Sequence, residues 1–146
     1  MKKTKIITVV LLLTLVFTSS LVSAQEATQN IDANITKITF KNNENISRDE
    51  ILGVMKTKLG DEFNRDALQK DLQRIMELGY FQDIKAKFNS FEGGLEVVFE
   101  LVENPVINEI NISGNEVYKK EEIIDQIGVI RGKVLNVKKL NEGLKG

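Results

Sequence analysis

The chain has 146 residues, of which 42% are hydrophobic and 28% charged, with 20 Lys and Arg against 21 Asp and Glu and no His, Cys or Trp. This composition excludes a Ser-His-Asp triad, a Cys-His pair and any imidazole or thiolate metal site. A net charge near zero gives no broad positive surface, so we expect no nucleic-acid partner. We therefore expect a protein that is not an enzyme and that carries no metal or other cofactor.

Residues 1–24 have the pattern of a signal peptide. Three lysines precede an apolar run over 6–17, and small residues end at Ala24. This run is too short for the ~20 residues that span a bilayer, so cleavage before Gln25 is favoured over an uncleaved anchor. Its removal takes three lysines and no acidic residue, leaving 17 basic against 21 acidic side chains, a net charge of −4. Residues 25–34 are polar without periodicity and predict a flexible lead-in to an exported protein.

An internal repeat organises the rest of the chain. Residues 35–74 laid over 107–146, at a constant offset of 72 and without a gap, give ten identical pairs. The pairs are Ile35/Ile107, Ile38/Ile110, Asn43/Asn115, Glu44/Glu116, Glu50/Glu122, Ile51/Ile123, Gly60/Gly132, Asn64/Asn136, Leu68/Leu140 and Leu72/Leu144. Because they fall largely on apolar positions and a turn glycine, they predict two tandem copies of one module, the second of them truncated.

The first copy begins with a strand and a helix. The alternation that starts at Thr36 predicts a half-buried strand over 35–41. A capping box at Ser47 then begins a helix. Its apolar face extends by helical spacing to Leu59, and Gly60 suits the left-handed position that ends a helix.

A second helix and a hairpin complete this copy. Asn64 caps the helix, which Gly79 ends, and alternation over 84–88 and 95–101 predicts two strands joined by a short turn with two glycines. The first strand reaches this hairpin only after two helices, so parallel pairing by a right-handed crossover is expected. The order β-α-α-β-β therefore predicts a two-layer α+β module, with two helices on one face of a three-stranded mixed sheet.

Two stretches of this module resemble segments of a known domain family. Gly79-Tyr80-Phe81 followed by Ile84 resembles the family's segment that enters the second strand, and the sequence VENPVI at 102–107 resembles its interdomain junction. The family is the POTRA (polypeptide-transport-associated) domain, and the chain resembles the N-terminal periplasmic part of BamA-type outer-membrane protein assembly factors. It implies a first POTRA-like domain over 35–104 and an incomplete second one over 106–146.

The resemblance implies a periplasmic binding and scaffold module for the assembly and insertion of outer-membrane β-barrel proteins. The implied partners are unfolded outer-membrane protein precursors, periplasmic assembly lipoproteins and a C-terminal barrel if the parent protein is longer. A two-partner secretion transporter or a cell-division protein are alternatives within the same fold. In a different class, a carboxylate-dependent periplasmic hydrolase would use acid pairs such as Asp49-Glu50 and Asp61-Glu62. Those pairs stand at helix starts, where negative charge favours the helix dipole.

The second strand is the candidate binding site. If the third strand lies centrally, the second is a sheet edge whose backbone can accept an added peptide strand, beside a groove bordered by 65–78. The candidate residues are Asp83, Ile84, Lys85, Ala86, Lys87, Phe88 and Asn89. Lysines on an edge also block unwanted pairing, so the sequence leaves use and protection of this edge both open.

The truncated copy carries its own expectation. It predicts a strand over 107–113 and a helix over 119–127, but no hairpin follows within the chain. Since that strand would have no neighbour, its backbone groups would stay unpaired. We therefore expect 106–146 to be ordered only in part.

Overall fold

The computed structural model describes residues 33–145, so the predicted signal peptide and lead-in residues 25–32 lie outside the described residues. The elements are β1 (Ile35–Lys41), α1 (Arg48–Val54), α2 (Arg65–Met76), β2 (Phe81–Phe91), β3 (Gly94–Glu103), α3 (Lys120–Ile127) and α4 (Val137–Gly143). Within this part of the chain no helix is both long and apolar enough to cross a membrane.

The three strands form one mixed sheet in the order β1-β3-β2. β1 pairs in parallel with β3, and β2 pairs antiparallel with β3 as its hairpin partner. The apolar sides of α1 and α2 pack on one face of the sheet, which confirms the predicted two-layer α+β module. The fully buried apolar side chains are Ile35, Ile51, Ile75, Val97, Phe99 and Leu101.

The alternation predicted from Thr36 is wrong at the start of β1. The register shifts between Ile35 and Lys37, so Thr36 is exposed while Ile35 and Ile38 are both buried. The Thr36 hydroxyl donates a hydrogen bond to the Phe91 carbonyl at 2.7 Å. The irregularity allows two isoleucines three positions apart to reach the same core.

The first helix is also shorter than predicted. It begins as expected, with the Ser47 hydroxyl accepting the Glu50 amide at 3.2 Å, but it ends at Val54. Leu59, expected on its apolar face, is 58% exposed. Gly60 has the expected positive φ of 90°, but in a turn beyond the helix.

A buried carboxylate explains why the helix stops early. Asp71 of α2 is fully buried and accepts the Lys56 amide at 2.8 Å, the Thr57 amide at 2.9 Å and the Arg74 guanidinium at 2.6 Å. Burial acts to raise the pKa of Asp71, but the Thr57 hydroxyl, these amides and Arg74 outweigh it and hold the pKa below its ordinary value. The chain can leave the helix here because these amides find an acceptor outside it.

Contacts of the first repeat recur in the second at the predicted offset. The bridge between Asn34 and Glu62 corresponds to the bridge between Val106 and Val134. The recurring backbone hydrogen bonds are Ile35 N to Asp61 O and Ile107 N to Lys133 O, Gly60 N to Ile35 O and Gly132 N to Ile107 O, and Phe63 N to Ala33 O and Leu135 N to Pro105 O. The internal repeat is therefore a repeat of structure as well as of sequence.

The second repeat keeps its helices but not its first strand. α3 and α4 match the predicted helix over 119–127 and the helix that follows it, whereas the predicted strand over 107–113 is absent. β1 is held by β3 in the first repeat, and the described part of the second repeat contains no counterpart of β3. Without that neighbour, only the bridge at Val106 remains.

Two buried asparagines join the repeats. The side-chain amide of Asn104 donates to the carbonyls of Gly79 and Leu135, both at 2.9 Å. The side-chain amide of Asn136 donates to the Leu78 carbonyl at 2.8 Å. These bonds satisfy the carbonyls that follow α2, so the end of α2 forms part of the contact with the second repeat.

Candidate peptide-binding edge

The predicted site residues all lie on one strand at the edge of the sheet. Residues 83–89 fall within β2 and pair with β3 in continuous register, from Asp83 opposite Val102 to Asn89 opposite Glu96. Among residues 33–145 no strand or bridge pairs with the other side of β2. This open side is the β2 edge.

One hydrogen bond shows which backbone groups of β2 point away from β3. The Ile84 amide donates to the carboxylate of its own neighbour, Asp83, at 2.9 Å, so it faces away from β3. In an antiparallel pair, alternate residues direct both backbone groups to opposite sides. The amides and carbonyls of Ile84, Ala86 and Phe88 therefore face outward, about 7 Å apart along the strand.

The inner side of the β2 edge, meaning the sheet face that the helices cover, is apolar and aromatic. Ile84, Ala86 and Phe88 are only partly buried. The Phe88 ring packs edge-to-face on Phe63, with centroids 5.0 Å apart and an interplanar angle of 82°. The guanidinium of Arg65 lies 6.0 Å from the centre of the same ring. A side chain of an added strand placed beside Phe88 would contact this pair of aromatic rings.

Helix α2 borders the groove beside the β2 edge. At 100° per residue, Arg65, Leu72 and Met76 share one side of the helix, and Arg65 reaches Phe88 of β2. Leu72 is partly buried and Met76 is 39% exposed. The side of α2 next to β2 therefore carries apolar side chains that are still partly accessible.

The outer side of the β2 edge, meaning the sheet face turned away from the helices, is charged. Lys87 pairs with Glu100 of β3 at 2.7 Å, and Lys85 pairs with Asp83 at 3.0 Å. The hydrogen bond from Lys85 lowers the pKa of Asp83, and that from Lys87 lowers the pKa of Glu100. Both carboxylates are therefore charged at neutral pH, and both lysine side chains remain more than 60% exposed.

The opposite edge of the sheet, on β1, is partly covered. The Ile35 amide donates to the Asp61 carbonyl and its carbonyl accepts the Gly60 amide, both at 2.8 Å. The Arg48 guanidinium donates to the Ile38 carbonyl at 3.2 Å and stacks over Phe40. Of the two edges, that of β2 offers the longer unpaired run of backbone groups.

Sequence reasoning found the strand and missed two of these features. The role of Asp83 as a cap depends on which way the Ile84 amide points, and no sequence pattern reports that direction. The cover on β1 comes from Arg48 and from the turn at Gly60, each many residues away from the backbone group it covers. Of these groups, only Arg48, a basic residue at the first position of α1, could have indicated from the sequence that the β1 edge is covered.

The acid pairs considered for hydrolysis do not form an enclosed site. Asp49 and Glu50 lie exposed in the first turn of α1, while Asp61 and Glu62 are exposed before α2. The carboxylate of Asp61 accepts the Lys58 amide at 2.7 Å, which is a turn contact. These two pairs therefore lie on the surface rather than in a cleft that would shift the pKa of an acid pair.

Comparison with known families agrees with this architecture. The model of the POTRA family, described as a surface antigen variable number repeat, matches residues 33–104 and 105–145. The chain belongs to the POTRA family. This membership confirms the resemblance read from the sequence and the tandem arrangement of two repeats.

Two relatives carry the name outer membrane protein assembly factor BamA. The protein of Nitratidesulfovibrio vulgaris is 29% identical over 111 residues, covering 76% of this chain and 14% of the relative. That of Buchnera aphidicola is 26% identical over 105 residues, covering 70% of this chain and 16% of the relative. The chain thus spans a small part of the length of these relatives.

Solved structures share the fold. The N-terminal domain of Omp85 from Thermosynechococcus elongatus superposes with a TM-score of 0.61 at 23% identity, covering 78% of this chain and 48% of that one. POTRA1-2 of the periplasmic domain of Omp85 from Anabaena superposes with a TM-score of 0.58 at 24% identity, covering 77% and 74%.

Proposed function

We propose that this chain is a periplasmic binding and scaffold module for the assembly and insertion of outer-membrane β-barrel proteins. In this proposal it engages unfolded client polypeptides by strand addition at the β2 edge. Its partners are outer-membrane protein precursors, periplasmic assembly lipoproteins and, in a longer parent protein, a barrel at the outer membrane. Its units are a first domain over 35–104 and an incomplete second domain over 106–146, after a cleaved signal peptide and a lead-in.

The observation that carries this proposal is the open backbone of the β2 edge. Ile84, Ala86 and Phe88 direct amides and carbonyls outward, so an extended chain can continue the sheet through its own backbone. Backbone pairing depends little on side-chain identity, which suits many unfolded clients. The names of the BamA relatives support the assembly role.

The groove beside the edge sets what an added strand must present. Every second side chain of the added strand would lie over Leu72, Met76 and Phe88 on the inner side. Apolar and aromatic side chains of the peptide would be favoured there because they lose accessible surface on binding. The other side chains would lie over the charged outer face. An alternating sequence of apolar and polar residues, typical of barrel strands, satisfies both sides.

A pair of backbone-methylated peptides tests strand addition. A peptide alternating Phe with polar residues is N-methylated on one set of alternate amides or on the other, and each form is titrated into the ¹⁵N-labelled exported chain, residues 25–146. In an antiparallel added strand, the residues whose side chains lie on the inner side direct their amides toward β2, so methylation of the Phe amides blocks pairing and methylation of the polar residues does not. We expect one form to shift the amide signals of 83–89 and the other to lose that effect.

A matched pair of protein variants controls for the groove. Phe88→Ala removes one ring of the aromatic pair with Phe63, whereas Phe91→Ala makes the same change on the outer side of β2, where Lys37 covers the ring. We expect Phe88→Ala alone to weaken binding of the active peptide. Equal effects of both methylated forms would contradict antiparallel addition, and shifts confined to the loops would contradict strand addition at this edge.

A further inference from the structure

The two sides of the β2 edge differ in chemistry, and this difference bears on which segments fit. On the outer side, an added strand would place alternate side chains directly beside Lys85 and Lys87, at the distance of a cross-strand pair. On the inner side, the remaining side chains would lie beside the partly buried Ile84, Ala86 and Phe88. The edge therefore offers two exposed lysines, each paired with a carboxylate, on one side and three apolar residues on the other.

Asp83 occupies one of the positions that a strand would need. Its carboxylate already accepts the outward Ile84 amide at 2.9 Å and pairs with Lys85 at 3.0 Å. An added strand must place its own carbonyl at this amide, so the carboxylate has to leave first. The outward amides of Ala86 and Phe88 carry no such side-chain cap among the described residues.

Building on the proposed function, we propose that the β2 edge selects extended segments in which acidic residues alternate with apolar ones, and that Asp83 competes with such a segment for the Ile84 amide. Acidic side chains opposite Lys85 and Lys87 form opposite-charge cross-strand pairs, while basic ones meet like charge. Release of the amide by Asp83 also leaves its carboxylate free to keep Lys85 in place.

Two peptides of equal length test the charge preference. One alternates Phe and Leu with Glu, the other alternates the same apolar residues with Lys, and dissociation constants for residues 25–146 are measured by NMR at low and high ionic strength. We expect the acidic peptide to bind about 3-fold more tightly at low salt, since two cross-strand pairs change from like to opposite charge while Asp83 and Glu100 offset part of each change. Added salt should reduce this ratio because these pairs are exposed to solvent.

The outcomes separate the two proposals. If neither peptide shifts the amides of 83–89, strand addition at this edge fails and the preference fails with it. If both peptides shift them with equal affinity at low salt, strand addition stands and the charge preference is overturned. A tighter basic peptide would also overturn it.

A matched pair of aspartate variants tests the cap. Asp83→Ala uncovers the Ile84 amide, whereas Asp61→Ala removes an equally exposed carboxylate that caps the Lys58 amide away from this edge. We expect Asp83→Ala to bind the acidic peptide about 3- to 10-fold more tightly, the range of one hydrogen bond released from competition. Asp61→Ala should leave the affinity unchanged. An unchanged or weaker affinity in Asp83→Ala would overturn the role of the cap.

Discussion

The first and second repeats share one frame of helices and turns but join its parts differently. Asp71 of the first repeat corresponds to Gly143 of the second at the offset of 72. The Asp71 carboxylate binds the amides that follow α1. At Gly143, by contrast, a Cβ would stand 2.5 Å from the Ile127 Cα, so the bare backbone allows α4 to approach α3. The same helix pair can thus be joined by a buried charge or by close packing.

The two repeats also carry different side chains at the equivalent positions through which the second repeat contacts the first. Val134 is buried and belongs to the core cluster of the first repeat, whereas its counterpart Glu62 is exposed. Asn136 caps α4 and also bonds to Leu78, whereas its counterpart Asn64 caps α2 only. The second repeat packs on the first through these positions, whereas the first repeat carries polar side chains there.

The largest expected effect comes from Asp71→Asn. The amide side chain cannot accept both backbone amides and the Arg74 guanidinium, so a partly buried cation and a backbone amide lose their partner. We expect a loss of about 3–5 kcal/mol in the free energy of unfolding, measured by urea denaturation. A loss below about 1 kcal/mol would show that this carboxylate does not join α1 to α2.

The same carboxylate predicts the pH dependence of stability. Because the pKa of Asp71 is lowered in the folded chain, its contribution is present above the ordinary aspartate pKa and is lost as pH falls through the folded pKa. Urea denaturation at decreasing pH should therefore show a falling stability in the acid range. In Asp71→Asn that fall should be shallower, and an unchanged slope would contradict the assignment.

A smaller effect is expected at the joint between the repeats. Gly79 has a φ of 83°, and a Cβ there would meet the Asn136 Oδ1 at 2.5 Å and the Lys138 Cβ at 2.7 Å. Gly79→Ala should cost about 3 kcal/mol, from left-handed strain together with overpacking. Gly93→Ala is the matched control, since its φ is 74° and nothing lies near its Cβ.

The two substitutions separate strain from contact. Gly93→Ala should cost only about 1–2 kcal/mol, the strain alone. Hydrogen exchange should also report faster amide exchange in α4 for Gly79→Ala and no change there for Gly93→Ala. Equal costs for the two variants would show that the packing of Gly79 against the second repeat contributes nothing.

The smallest difference is expected between the equivalent caps. Asn64→Ala removes a helix cap at a cost of about 1 kcal/mol. Asn136→Ala removes the same cap and the bond to the Leu78 carbonyl, so we expect about 2 kcal/mol. The comparison is made by urea denaturation of both variants under the same conditions. Equal losses would mean that the inter-repeat bond adds no stability.

Local pattern was enough to predict most of the first repeat. Alternation over 84–88 and the hairpin glycines predicted the strand and its turn, because these signals are confined to neighbours in sequence. The predicted alternation at Thr36 and the predicted length of α1 were wrong because the observed structure there depends on distant groups. Thr36 bonds to the Phe91 carbonyl, and the end of α1 depends on Asp71 of the next helix.

The binding edge divides in the same way. The strand over 83–89 could be predicted from periodicity, and its edge position follows from the central place of β3. The direction of the Ile84 amide depends on the register of β2 against β3, and the cover on β1 depends on how α1 packs beside it, so neither could be predicted from periodicity. Whether the segment 106–146 is ordered only in part stays a prediction, which limited proteolysis checks.

Isotope-filtered NOE spectroscopy tests strand addition most directly. The labelled chain, residues 25–146, is mixed with the unlabelled peptide that alternates Phe and Leu with Glu. Strand addition at the β2 edge predicts NOEs from the peptide backbone to the amide protons of Ile84, Ala86 and Phe88, in the alternating pattern of a paired strand. NOEs to β1 or to residues 107–119, with none to β2, would contradict it.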